Sequence, residues 1–276
     1  LVAHGDARFA SRSNVPLQFT AGFEGEGLDL RHEGWRIAVQ GDTVVLVGSV
    51  RGQRLRLKLR PTQAATVPGD RGALEIVPGT HHLWYQQELM RAEGLWIDGG
   101  RRRWVGGAGF FKHQWGRLYD PDVDGFEWLS FDLPDGRSFV LVKVQQHGQR
   151  GVPGSMAWVS EGGGEPTALP IDQIHFSVVD TTTSARSGAR WPTSWRVRGA
   201  GFDLHVSSLV DDMELTVFPA AFYAGPARVE GSVEGAPIDA PGFVELVGAW
   251  QPALRPLYRS DAPPRVSRVP AEEPRP

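Results

Sequence analysis

From Trp35 to Pro61 the chain reads WRIAVQGDTVVLVGSVRGQRLRLKLRP, with apolar positions spaced by two between residues that favour turns. This spacing predicts three consecutive strands, broken at Gly41-Asp42 and at Arg51-Gly52-Gln53. In the third, Leu55, Leu57 and Leu59 alternate with Arg54, Arg56, Lys58 and Arg60. One face of that strand therefore turns to a core and the other to water. The pattern continues in GLWIDGGRRRWVGGAGFF, with a turn at Asp98-Gly99-Gly100, and in FEWLSFDLPDGRSFVLVKVQQ, with a turn at Pro134-Asp135-Gly136. Further strands are expected in IHFSVVD, FDLHVSSLV, MELTVF, ARVEGSVEG and GFVELVGAW. Helix signals are sparse.

Short strand-like runs between turn residues, in a chain with 34 Gly and 21 Pro, point to an all-β sandwich or barrel. At 276 residues the chain has room for one large β domain or two of ordinary size. Two successive meanders suit two antiparallel barrels in tandem, because closing each sheet removes its exposed edges. The expected division is residues 1–152 and 153–252, with SEGGGEPTALP (160–170) as a long loop or part of the junction. The last 26 residues hold seven prolines and no periodicity, so 253–276 reads as an extended tail.

Composition narrows the function. A net charge of −3 with 22% charged residues argues against nucleic acid as a partner. The absence of cysteine rules out disulfides, a thiolate nucleophile and Cys-ligated metal, and it fits a cytoplasmic location. Apolar runs such as TVVLVGSV and SFVLVKV fall short of the ~20 residues of a membrane-spanning helix. No secretory signal is visible at the start.

Candidate chemistry begins at GGAGFFKHQWG (106–116), where Lys112 and His113 interrupt an otherwise buried-looking strand. Alternation puts Phe110, Lys112 and Gln114 on one face and Phe111, His113 and Trp115 on the other. Lys112 is either a cationic donor inside an apolar pocket or the partner of an acid such as Glu127 or Glu245. His113 reads first as a structural imidazole bonded to backbone, with pocket lining as the other option. Ten tryptophans are unusual for this length, and most belong to core packing. Trp84, Tyr85, Trp128 and Tyr223 are the candidates for the wall of an aromatic cavity. DPDVDG (120–125) opens like a calcium loop, but Phe131 stands where the bidentate Glu is needed. His81-His82 lacks further ligands at metal spacing, and no Ser-His-Asp order stands out. No metal is expected.

Taken in order, GWRIAVQGDTVVLVGSVRGQRLRLKLRPTQAATVPGDRG, GLWIDGGRRRWVGGAGFFKHQWG, FEWLSFDLPDGRSFVLVKV, SARSGARWPTSWRV and GFVELVGAW resemble the lipocalin-like superfamily of carotenoid hydratases (hydroxyneurosporene synthases) and AttH-type proteins. The resemblance covers roughly residues 30 to 250. It implies two tandem lipocalin-like β-barrel domains with a hydrophobic cavity at or near their junction. The superfamily also includes natural-product cyclases that direct intramolecular [4+2] cycloadditions of polyketide-derived polyenes, so fold alone does not settle function.

Two departures from the family pattern matter. Where the usual motif reads G-x-A-W-M-D-(R/H)-(E/Q)-W-G, the aspartate aligns with Lys112, and the acid of a Y-W-E-G segment aligns with Ala224. Protonating an isolated alkene calls for a carboxylic acid in an apolar pocket, and an ammonium is too weak for that. A pericyclic closure needs only a wall that folds the chain into a near-attack shape, helped by donors to a conjugated carbonyl. The expected activity is therefore a cofactor-free cyclase of a hydrophobic polyene, with Lys112 and Gln114 as donors. Trp84, Tyr85, Phe110, His113, Trp128, Tyr223, Glu127 and Glu245 would contact the substrate. A hydratase or cation-type cyclase using Glu127 or Glu245 as its acid, and a non-catalytic carrier of lipophilic ligands, are the alternatives.

Overall fold

A computed structural model describes residues 2–3, 8–9, 21–23, 28–32, 34–50, 52–75, 81–116, 123–146, 155–162, 165–217 and 220–248. The expected 253–276 tail and the first half of DPDVDG lie outside these residues. Apart from one 3-10 turn at Ile171–Gln173, the described elements are all strands. Among the described residues no helix is long and apolar enough to cross a membrane.

The strands are β1 (Val2–Ala3), β2 (Arg8–Phe9), β3 (Ala21–Phe23), β4 (Asp29–His32), β5 (Trp35–Gln40), β6 (Thr43–Val50), β7 (Gln53–Pro61), β8 (Ala73–Glu75), β9 (His81–Asp98) and β10 (Arg101–Gly116). They continue with β11 (Val123–Asp132), β12 (Arg137–Gln146), β13 (Met156–Glu161), β14 (Thr167–Ala168), β15 (His175–Thr183), β16 (Arg190–Gly199), β17 (Phe202–Ser208), β18 (Glu214–Val217), β19 (Ala220–Val233) and β20 (Ala236–Val247). Beyond the small β1–β2 pair, they form two antiparallel sheets. One runs β10-β9-β7-β6-β5-β4-β3 with β8 on β9; the other runs β14-β13-β12-β11-β20-β19-β17-β16-β15 with β18 on β19. The chain passes from the first sheet to the second between Gly116 and Val123, and β11 pairs with both β12 and β20.

Among the described residues the end strands of neither sheet pair with each other, so both sheets are open where closed barrels were expected. The second sheet nevertheless curls around its core. Phe139 on β12 and Phe202 on β17 meet at 5.5 Å although β11, β20 and β19 separate their strands. That concave face carries a large apolar cluster, including Phe131, Trp191, Trp195, Leu204 and Tyr223. In the first sheet the alternation on β7 holds: the leucines are half-buried and the arginines exposed.

Two local features shape the long β9–β10 hairpin. Leu89 has φ of 46°, and the register with β10 shifts between Gly109 and Phe111. Such an irregularity bends a strand and re-aims the side chains beyond it. The Leu89 carbonyl is held here by the Thr62 backbone N–H at 3.0 Å and by the Thr62 hydroxyl. Before the bend, His81–Leu83 pairs with β8; after it, Met90–Ile97 pairs with β7 instead. Close approach of β7 to β9 depends on Gly94, where a Cβ would collide with the Arg56 carbonyl oxygen. Gly94→Ala is expected to destabilise the protein by about 2 kcal/mol in urea unfolding, because the obstacle is main chain and cannot swing aside.

Candidate functional site

The bent end of the β9–β10 hairpin lies against β11, β12, β13 and β20 of the second sheet. Strand alternation decides what fills this seam. On β9 the positions His82, Trp84, Gln86, Glu88 and Met90 are buried, and on β11 Trp128 faces the same way as its neighbours Val142 and Glu245. The result is an aromatic cluster: Trp84 meets Trp158 edge-on at 5.2 Å, and Phe110, Trp128 and Phe243 touch one another at 5.0 to 5.8 Å.

One cation stands among these rings. Lys112 Nζ donates to Glu245 Oε2 at 2.8 Å and sits 4.4 Å from the centre of the Trp128 ring and 5.7 Å from that of Trp84. The side chains of Lys112 and Glu245 are 14% and 17% exposed, which places the pair largely out of water. The electron-rich ring faces and the carboxylate both favour an ammonium at this position. An ammonium carries three N–H groups and Glu245 accepts one, so two further donors remain. The buried indole N–H groups of Trp84 and Trp128 have no acceptor among the described protein groups.

Glu245 lies cross-strand from Ala224 on one side and from Trp128 on the other. A carboxylate thus occupies the strand next to the position where the family pattern expects an acid, but it is engaged by Lys112.

The structure divides the ten sequence-predicted residues into three places. Lys112, Glu245, Trp84, Phe110 and Trp128 share the seam, and half-buried Gln114 stands on the Lys112 side of β10 in register with Trp84. Tyr85 and His113 lie on the other face of the hairpin, packed with Phe111 and Trp115; the Tyr85 and His113 rings meet at 5.5 Å. Glu127 and Tyr223 point into the concave face of the second sheet. Tyr223 is fully buried there, stacks on Trp191 at 5.8 Å and donates its hydroxyl to the Val210 carbonyl at 3.2 Å. Burial pushes its phenol up to about 12. Glu127 is 5% exposed, borders a small apolar recess, and is raised above the ordinary carboxyl value by burial.

Glu88 escaped the sequence reading. It is 2% exposed, its Oε2 accepts from the Thr66 hydroxyl at 2.7 Å, and Thr66 also bonds Ser160 across the seam at 2.9 Å. Burial pushes the Glu88 carboxyl up to about 7, against the opposing effect of its Thr66 and Ser160 hydrogen bonds. The available signal was its place in HHLWYQQELM, where a period of two puts a charged residue in the inward row with Trp84 and Gln86. Among the described residues no group of three or more His, Asp or Glu side chains is arranged to hold a metal.

Residues 2–249 match the model of a family described as AttH-like. The fold is similar to a crystal structure of an AttH protein from Nitrosomonas europaea, with a TM-score of 0.72, 23% identity, and coverage of 81% of this chain and 70% of that one. It is also similar to kievitone hydratase from Nectria haematococca, with a TM-score of 0.68, 18% identity, and coverage of 81% and 71%. No curated protein sequence matches significantly.

Proposed function

The chain belongs to the AttH-like family, and on that premise we propose that it is a cofactor-independent cyclase of a hydrophobic polyene or polyketide intermediate, acting by intramolecular [4+2] cycloaddition at the seam between the sheets. The observation that carries this reading is Lys112: a cation held by Glu245 over an aromatic wall, with N–H groups to spare. In the reaction two carbon–carbon σ bonds and one new π bond replace three π bonds. No proton is transferred and no redox partner is required. The enzyme's part is to fold the chain so that its termini meet, and to stabilise charge that builds on a conjugated carbonyl at the dienophile. Lys112 would donate to that carbonyl with Gln114 beside it. The rings of Trp84, Phe110 and Trp128 would flank the diene. Because Glu245 holds the ammonium in place, the donor costs little reorganisation when the substrate arrives.

A second reading, hydration of an alkene, is favoured by the likeness to kievitone hydratase and by Glu88, a seam carboxyl that burial raises to about 7. The two differ in the product. A linear polyene bearing a conjugated dienophile carbonyl, incubated with the protein in deuterated water, is expected to give an isomer of unchanged mass without carbon-bound deuterium. Lys112→Met should slow its formation by roughly 10- to 100-fold, the scale of losing one positioned donor. A product heavier by one water, carrying solvent deuterium and abolished by Glu88→Gln, would replace the cyclase with a hydratase.

A further inference from the structure

Residues in register on neighbouring strands share a face of a sheet, and on the first sheet the register collects positive charge. One row runs Arg31, Arg36, Val47, Arg56, Leu95 and Trp104 across β4, β5, β6, β7, β9 and β10. The flanking rows of the same face add Arg54 with Arg102, Lys58 with Asp29 and Glu93, and Arg60 with Arg91. Eight cations thus stand against two acids, an excess of six positive charges on one face of a chain whose total is −3. All of these cations but half-buried Arg36 are exposed. Asp29 holds Arg31 and Arg36, and Glu93 holds Arg60. Arg54, Arg56, Lys58, Arg91 and Arg102 have no salt-bridge partner among the described residues. Arg60 and Arg91 stand directly opposite each other, a pairing of like charges that costs stability in the free protein. At the β10 edge of this face Trp104 is 84% exposed, and an indole left there forgoes the burial that its size would bring.

We propose that this face is a membrane-docking surface that lies on an anionic phospholipid bilayer, with the cations among the phosphates and Trp104 in the headgroup layer. The excess of charge selects an anionic partner. Its layout selects a plane. The cations spread in two directions, along β7 from Arg54 to Arg60 and across the sheet from Arg31 to Arg102. A single nucleic-acid strand instead follows a narrow basic groove with aromatic side chains for successive bases. Trp104 supplies one ring at one edge, and indoles favour the boundary between headgroups and acyl chains. Strand spacing makes the face about 24 Å wide from β4 to β10, so several headgroups meet it at once. Docking would bring the protein to the phase in which hydrophobic molecules collect, but it does not depend on the reaction proposed for the seam.

Flotation of the full chain with lipid vesicles tests the surface. With about 30% phosphatidylglycerol in phosphatidylcholine at low salt the protein is expected to float. Binding to pure phosphatidylcholine should be at least about ten-fold weaker, and about 0.5 M NaCl should release the protein. Arg56→Gln with Lys58→Gln should weaken binding roughly 20-fold, at about five-fold per cation. Arg190→Gln with Arg198→Gln, which removes two exposed cations from the second sheet, should change it by less than about two-fold. Trp104→Ala should weaken binding several-fold and leave its salt dependence intact. Should the Arg56 and Lys58 pair not fold, Arg54→Gln with Arg102→Gln removes the same charge and is expected to act alike. The proposal is overturned by a failure to float with the anionic vesicles, by equal binding to both lipids, by equal losses from the two sheets, or by binding indifferent to Trp104. Release from the vesicles by single-stranded DNA at equal phosphate concentration would also overturn it, and would assign the face to nucleic acid.

Discussion

Lys112→Met will destabilise the protein by about 3 kcal/mol, Glu245→Leu by roughly half as much, and the two together by less than either alone. The pair is 2.8 Å apart with both side chains more than four-fifths out of water, so each charge depends on the other for what hydration would have supplied. Removing the lysine strands a carboxylate among Trp128 and Phe243, whose ring faces repel it. Removing the glutamate leaves an ammonium that keeps the Trp128 face at 4.4 Å and has a flexible stem with which to reach water. Removing both leaves hydrophobic side chains of suitable length in an aromatic seam. A double-mutant cycle by urea unfolding measures all three, and additive losses would show that the pair is not coupled.

The second large effect is a loss of stability as the solution becomes less acidic. Burial raises the Glu88 carboxyl from 4.5 to about 7 in the folded protein. A folded value above the unfolded one means that the contribution is fully present below about pH 4.5 and is lost as pH rises through about 7. Over that window the folded state must ionise a group that the unfolded chain ionises more easily, at a cost of about 2–3 kcal/mol. Glu127 and Asp132 are also raised by burial and act in the same direction. The depressed carboxylates oppose this only in stronger acid. Asp29, bonded to Arg36 and Arg31, and Asp203, bonded to Arg196 and Arg198, contribute stability above their unfolded values and lose it as pH falls through their lowered folded ones. Stability should therefore peak near pH 4.5 to 5. Glu88→Gln, which can still accept the Thr66 hydroxyl, should match the wild type at that peak and exceed it by about 2 kcal/mol at pH 8. Urea midpoints across pH 4.5–8 report the difference; parallel curves for wild type and variant would assign the pH dependence to other groups.

Both experiments concern the seam, and the sequence disclosed it unevenly. Lys112 stood out against its apolar neighbours, whereas the inward row of β9, though carried by the period of HHLWYQQELM, was not among the expected strands. Glu245 was named as a partner for the lysine alongside Glu127, with nothing in the chain to choose between them. Each sits in a strand of clear alternation, but period two states only that neighbours diverge. It does not state which face meets another sheet. Glu88 went unnoticed because an acid in a row of polar residues reads as a solvated edge until the second sheet covers it.

Local pattern was enough for the strands of Trp35–Pro61 and for most of those after Gly94, for the turns joining them and the parity within them, and, set against the family motif, for the lysine in place of an acid at position 112. These are local properties, set by turn chemistry and by the two-residue repeat of extended backbone. Only the tertiary structure decided that β11 and β12 join the second sheet, that Glu245 rather than Glu127 meets Lys112 across 133 residues of chain, and that Glu127 faces a separate recess. Those outcomes depend on which sheet faces are pressed together. That is settled by the burial of whole faces, to which no single segment of sequence is a guide.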